Sequence, residues 1–310
     1  MVRVSLSKFT SEAQSSQRSH RGLSLFQQTR WGRSECRSRQ REWSTGLTRI
    51  NETFARLKRE GRGGLIPFIT AGDPNLETTR ELLVALARAG ADVIELGVPF
   101  SDPIADGPVI QRASQRALLN GTTVAQILEL VADLRHELAV PIVIFSYLNP
   151  LLQFGLSRFA SEAARAGIDG VLLTDLPAGE ASELAQELSA HSLDLIRLVA
   201  PTSTDERLRI IAERASGFIY AVSRTGVTGA TTESSEESEN LVERVRRVSD
   251  LPVAVGFGIS NANQVGNVWR YAEAAVVGSA IVAEIERAGS KDLVQRVEEF
   301  VRALLPSGQR

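Results

Sequence analysis

From Thr48 onward the chain alternates two kinds of hydrophobic pattern. Short runs, nearly continuous in apolar and β-branched residues, cover 65–70, 92–97, 141–147, 170–175, 193–199, 217–223, 252–258 and 274–278. Strands buried on both faces read this way. Between them lie longer segments with apolar positions every three or four residues, such as 76–89, 124–138, 157–166, 179–190, 205–215 and 236–248. These predict amphipathic helices, and Ala89-Gly90 and Ala166-Gly167 look like C-caps that hand over to a buried strand. Strict alternation of strand and helix forces a parallel sheet. Eight such units are the number for a closed (β/α)8 barrel, so the expected fold is a single α/β TIM barrel over residues 46–306. An open doubly wound sheet is the alternative, but no Gly-x-Gly-x-x-Gly follows the first run.

The segment before the barrel has a different character. Residues 1–45 hold ten Ser and eight Arg without apolar periodicity, and are expected to be a disordered extension. They carry nine basic and three acidic residues, so a chain of net charge −2 has an acidic body, which gives no support to nucleic-acid binding. The extension has no apolar core of the kind a secretory signal needs, while its Arg- and Ser-rich, acid-poor composition is that of an organelle transit peptide. A non-functional extension, or a start site set too far upstream, is the favoured reading over a targeting signal. The expected compartment is cytoplasmic, with a plastid as the alternative if the extension targets. Cys36 is the only cysteine, so no intrachain disulfide forms, and no apolar run is long enough to span a membrane.

In barrels of this kind catalytic groups gather at the C-terminal ends of strands and in the loops that follow. The second run brings Glu95 there, and the loop rich in Gly, Pro and Asp that follows returns a second carboxylate, Asp106, eleven residues later. Two acids at one mouth can divide proton work if their surroundings push their pKa values apart; a lone Glu there could equally be a structural ion pair. The three lysines, Lys8, Lys58 and Lys291, avoid all strand ends, which disfavours a Schiff-base aldolase. Of the histidines, His20 lies in the extension and His136 and His191 at helix ends, so no imidazole metal cluster is expected. Glycines also gather late in the chain, at Gly226–Gly229, at Gly256 and Gly258, and at Gly278-Ser279. Phosphate sites in such barrels use the loops after the last strands and a helix N-terminus.

The string Glu-Leu-Gly-Val-Pro-Phe-Ser-Asp-Pro-Ile-Ala-Asp-Gly-Pro-Val-Ile-Gln (95–111) closely resembles the signature of the tryptophan synthase alpha chain. So do Leu-Ile-Pro-Phe-Ile-Thr-Ala-Gly-Asp-Pro (65–74), Tyr-Leu-Asn-Pro (147–150), Leu-Leu-Thr-Asp-Leu-Pro (172–177), Ser-Arg-Thr-Gly-Val-Thr-Gly (223–229) and Gly-Phe-Gly-Ile-Ser (256–260). Order and spacing match from about Leu47 to Leu305. The resemblance implies a metal-free lyase that cleaves indole-3-glycerol phosphate to indole and glyceraldehyde 3-phosphate. It holds no cofactor itself and pairs with a PLP-bearing beta chain in an alpha2beta2 heterotetramer.

The same resemblance implies roles for particular residues. Glu95 would move a proton between the glycerol hydroxyl and indole C3, Asp106 would hold the indole N1–H, and Tyr220, expected at the end of strand six, would flank Glu95. Phe68, Tyr147, Leu172 and Phe257 would form the slot for the ring, although each could be plain core. Thr228 would ride on a closing loop, Gly229, Gly258, Gly278 and Ser279 would hold the phosphate, and Pro99 and Asp102 would meet the partner. The sequence departs from the family pattern before strand eight, where Asn-Val-Trp-Arg-Tyr-Ala-Glu replaces a Gly-Ala-Asp-Gly type of turn, and at Phe145 and Ser146 beside the slot. Two other functions remain open at this point: a different phosphosugar barrel enzyme, such as an isomerase, and a non-catalytic subunit that only binds a beta chain.

Overall fold

The eight apolar runs become eight parallel strands, β1 Gly64–Thr70, β2 Ile94–Gly97, β3 Ile142–Ser146, β4 Gly170–Leu173, β5 Asp194–Val199, β6 Ile219–Val222, β7 Val253–Gly256 and β8 Ala274–Val277. Each pairs with the next and β8 returns to β1, which closes the barrel. The structure, a computed structural model, describes residues 48–177, 179, 181–222, 232–256, 258–289 and 292–307. Alternate residues serve two cores. Ile66, Val93, Val143, Leu172, Ile196, Phe218 and Val276 fill the barrel, whereas Leu65, Ile94, Ile144, Val171, Leu195 and Val255 pack beneath the helices. Burial on both faces is why the runs read as unbroken hydrophobic stretches. Most strands are shorter than their runs. At the C-terminal end the chain leaves the ladder just where the loops that carry the polar residues begin, as at Tyr147, Thr174 and Asp175.

Twelve helices are described: α1 Arg49–Glu60, α2 Leu76–Ala89, α3 Pro108–Leu119, α4 Val124–Leu134, α5 Leu148–Phe154, α6 Leu156–Ala166, α7 Ala181–Ala190, α8 Asp205–Glu213, α9 Thr232–Arg246, α10 Ala262–Val268, α11 Ser279–Ala288 and α12 Leu293–Leu304. Side-chain caps start several of them. Asn75 accepts from Thr78, and Thr123 forms a reciprocal capping box with Gln126. The two Ala-Gly pairs do end α2 and α6, with Gly90 and Gly167 in the left-handed region. The segment 124–138 stops as a helix at Leu134, because the following residues turn and the Arg135 guanidinium folds onto the carbonyls of Leu138 and Val140.

α1 stands outside the alternating pattern and plugs the N-terminal mouth. Ile50, Phe54 and Leu57 join the inner core, and the Phe54 ring lies 5.6 Å from that of Phe218. Buried acids at the strand starts bind it: Asp92 takes Arg56 and Arg62, Asp169 takes Arg49, and Asp194 accepts from the Thr48 hydroxyl. The unusual sequence before β8 is accommodated by Trp269, whose Nε1–H donates to the Gly64 carbonyl at 2.9 Å and so ties this turn to the start of β1. Among the described residues no helix is long and apolar enough to cross a membrane. With the base closed by α1, chemistry is left to the opposite mouth.

Candidate active site

Glu95 is the second residue of β2 and points into the barrel in register with Phe68 of β1 and Val143 of β3. It is 1% exposed, and its Oε1 has no hydrogen-bond partner. Burial raises its pKa from 4.5 to about 8. An ion pair would have pushed the pKa down instead, so the plain structural role does not describe this carboxyl. Tyr220 stands beside it. It is the second residue of β6 rather than the last, because the strand runs on to Val222, and so it lies within the barrel core. Burial, with the nearby Glu95 carboxyl second, lifts its hydroxyl well above the usual phenol range. The ring needs Gly256 opposite: a Cβ there would sit 2.1 Å from the Tyr220 hydroxyl.

Asp106 arrives from the β2–α3 loop and is only partly exposed. Its loop is held by short-range bonds: Asp106 N–H donates to the Pro103 carbonyl at 3.0 Å, and Gln111 Nε2 donates to the Asp106 carbonyl at 2.9 Å. Tyr147, just past β3, accepts from Ala105 N–H at 2.9 Å and hydrogen-bonds the Asp106 carboxyl. Desolvation wins over that bond and lifts Asp106 from 3.8 to about 6, while burial and the adjacent Asp106 charge raise Tyr147 to about 12. The two acids are thus tuned apart by about two pKa units, Glu95 being the weaker acid.

A small open cleft beside Asp106 is lined by Phe68, Thr70, Gly97, Val98, Asp106, Ile110, Ser114, Phe145, Ser146 and Tyr147. Phe68 and Phe145 meet edge to face at 5.2 Å, and Phe68 lies over Gly97, where a Cβ would come within 2.6 Å of the ring. The structure therefore brings Asp106, Phe68 and Tyr147 into one cleft. Glu95 is not among its lining residues but is the β2 register partner of Phe68, which lines it, and Leu172 lies fully buried in the inner core. Thr70, Ile110 and Ser114 were not singled out from the sequence. Pro108 followed by apolar residues at 109, 110, 113 and 117 is the helix signal that could have found α3, the wall carrying two of them.

Two helix starts near the last strands differ in a way that matters for an anion. α10 is capped by Asn261, whose side chain accepts from Gln264 N–H at 3.0 Å. α11 begins at Gly278-Ser279 with no side-chain cap, so its first N–H groups remain open to an anion. Gly258, in the left-handed region, and Ser279 are both exposed at this end. Phe257, Thr228 and Gly229 lie outside the described residues. Of the two expected partner contacts, Asp102 is exposed whereas Pro99 is buried. Ile104, 88% exposed in the same loop, offers the apolar surface that Pro99 does not.

The sequence profile of the family described as "Tryptophan synthase alpha chain" matches residues 54–306. The tryptophan synthase alpha chain of Solibacter usitatus is 51% identical over 259 residues, 83% of this chain and 97% of its own length. That of Citrifermentans bemidjiense is 50% identical over 258 residues, again covering 83% and 97%. Among solved structures, tryptophan synthase subunit alpha from Legionella pneumophila superposes with a TM-score of 0.77 at 37% identity, over 84% of this chain and 97% of that one. A tryptophan synthase complex from Pyrococcus furiosus gives 0.71 at 36% identity, over 78% and 98%. With its closed barrel, a family profile matching residues 54–306 and relatives about half identical over 97% of their own length, the chain belongs to the tryptophan synthase alpha chain family, lyases of tryptophan biosynthesis.

Proposed function

We propose that the chain cleaves indole-3-glycerol phosphate to indole and glyceraldehyde 3-phosphate, using carboxylates alone and no metal or cofactor of its own. The observation that carries this reading is Glu95, a carboxyl pointing into the barrel that forms no ion pair among the described residues, has Oε1 without a hydrogen-bond partner and has its pKa raised by burial to about 8. Such a group is largely protonated near neutral pH. It donates its proton to indole C3, which turns the aromatic ring into a leaving group. The resulting carboxylate takes the proton of the glycerol hydroxyl as the C–C bond breaks and the aldehyde forms. Asp106, ionised above about 6, accepts the indole N1–H and offsets the positive charge that develops on the ring.

Tyr220 keeps the Glu95 end apolar and packed, while Phe68, Tyr147, Leu172 and Phe257 hold the ring. The phosphate rests on Gly229, Gly258, Gly278 and Ser279, and the loop bearing Thr228 excludes water. Indole then passes to a PLP-bearing beta chain in an alpha2beta2 assembly. The Pyrococcus furiosus structure is described as a tryptophan synthase complex, and here exposed Asp102 and Ile104 supply the contact, with Pro99 shaping the loop from beneath. The compartment in this reading is the cytoplasm, or a plastid if residues 1–45 direct import. Incubating the purified chain with indole-3-glycerol phosphate, with and without a beta chain, tests the proposal. Indole and glyceraldehyde 3-phosphate should form in equal amounts, faster with the partner, and release of neither product would end the reading.

A further inference from the structure

α3 carries the Asp106 loop at its N-terminus, yet little hydrophobic burial holds it. Its buried residues are only Ala113, Ser114 and Ala117. Small side chains give a shallow grip, since burial free energy scales with apolar area. Two arginines one helical turn apart, Arg112 and Arg116, should repel each other on this helix. Instead Glu286 of α11 bridges them. Arg112 Nε and Nη2 donate to Glu286 Oε1 and Oε2 at 2.8 and 2.7 Å, and Arg116 Nη1 donates to Oε1 at 2.8 Å. Arg116 also reaches in the other direction, with Nε and Nη2 on Asp73 Oδ1 and Oδ2 at 2.7 and 2.9 Å.

The parts of this network are not equivalent. Asp73, in the turn after β1, is 1% exposed, and in the structure Arg116 is the cation that pairs with it. A buried carboxylate depends strongly on its partner. The Arg112–Glu286 side is half open to water, so solvent and salt screen it. Arg112 and Arg116 together hold the Glu286 carboxyl down to about 2.

The network ties together the two helices whose N-termini face the site. α3 starts two residues after Asp106, and α11 starts at the uncapped Gly278-Ser279 turn. Between them Ala113 and Val282 pack with Phe68. We infer that Arg116, through Asp73 and Glu286, is a positioning residue that fixes the distance between the ring-binding acid Asp106 and the anion seat at the start of α11. This rests on the proposed substrate, which must touch both ends at once. A clamp between two subsites should matter only to a ligand that spans them, because misplacement of reacting groups by about 1 Å can cost on the order of 100-fold.

Three ligands separate this from general destabilisation: indole-3-glycerol phosphate, which spans the site, and indole and glycerol 3-phosphate, which each occupy one end. Arg116→Lys keeps the charge but loses the bidentate fork. Glu286→Gln removes the bridge from an exposed position where folding is not at stake. In both variants kcat/KM for the full substrate should fall at least about tenfold, while the dissociation constants of indole and glycerol 3-phosphate stay within about twofold of wild type. An unchanged kcat/KM in both variants would overturn the clamp. So would equal weakening of all three ligands together with a lowered melting temperature, which is the signature of a merely structural pair. If the wild-type chain itself fails to cleave the substrate, it is the functional reading that fails, and the two outcomes are told apart by that control.

Discussion

A carboxyl oxygen buried without a hydrogen-bond partner is costly, and Glu95 keeps its Oε1 that way within the barrel. Its raised pKa means that folding favours the protonated form. The chain therefore becomes less stable as pH rises from about 4.5, the ordinary value, through about 8, because the native state must either hold a proton or bury a charge. Glu95→Gln keeps the shape and removes this burden. Turnover should drop ~10²–10⁴-fold, the usual contribution of a general acid–base group. Toward the alkaline end of that window the variant should melt higher than wild type, and at the acid end the two should converge. Turnover close to wild type, or identical melting profiles across the window, would remove Glu95 from the mechanism.

At the scale of elements, two helices carry opposite tasks. α1 is structural: Phe54 is 6% exposed and lies against Phe218, so Phe54→Ala should destabilise by about 3–5 kcal/mol in chemical denaturation. A loss below about 1 kcal/mol would mean that the plug is not part of the core. α11 has the opposite task in the proposed function, where its start, which carries no side-chain cap, seats the phosphate. A Cβ at Gly278 would meet Phe68 at an ordinary 3.5 Å, so Gly278→Asp fits. The new carboxylate should cap the helix, a gain of up to ~1 kcal/mol, while repelling phosphate. Melting temperature should hold or rise as KM for the phosphorylated substrate increases at least several-fold, and an unchanged KM would move the anion seat elsewhere. Much of this scale was legible in the sequence. Strands buried on two faces announce themselves as apolar runs, and α2 begins and ends where its periodicity does. α1 and α3 were harder to see, since one precedes the first run and the other buries only the small side chains Ala113, Ser114 and Ala117 and is tied down by Arg116 and Glu286. The placement of Glu95 and Asp106 at one mouth could be read from strand and loop, but no sequence pattern gives the burial that sets their pKa values.

For the whole molecule, the proposed assembly with a beta chain couples two binding events, that of the partner and that of the ligand in the alpha site. Binding linkage then requires that glycerol 3-phosphate tighten the beta chain by the same factor by which the beta chain tightens glycerol 3-phosphate. Calorimetric titration of a beta chain with and without that ligand should give equal factors, and ligand-independent association would sever the coupling. The central claim, that two separately tuned carboxyls divide the proton work, is tested most directly by kcat/KM for indole-3-glycerol phosphate as a function of pH. Activity needs Asp106 ionised and Glu95 protonated, so the profile should be a bell with limbs near 6 and near 8, and Asp106→Asn should abolish the acid limb along with most of the rate. A flat profile across that range, or limbs that persist unchanged in the variant, would contradict it.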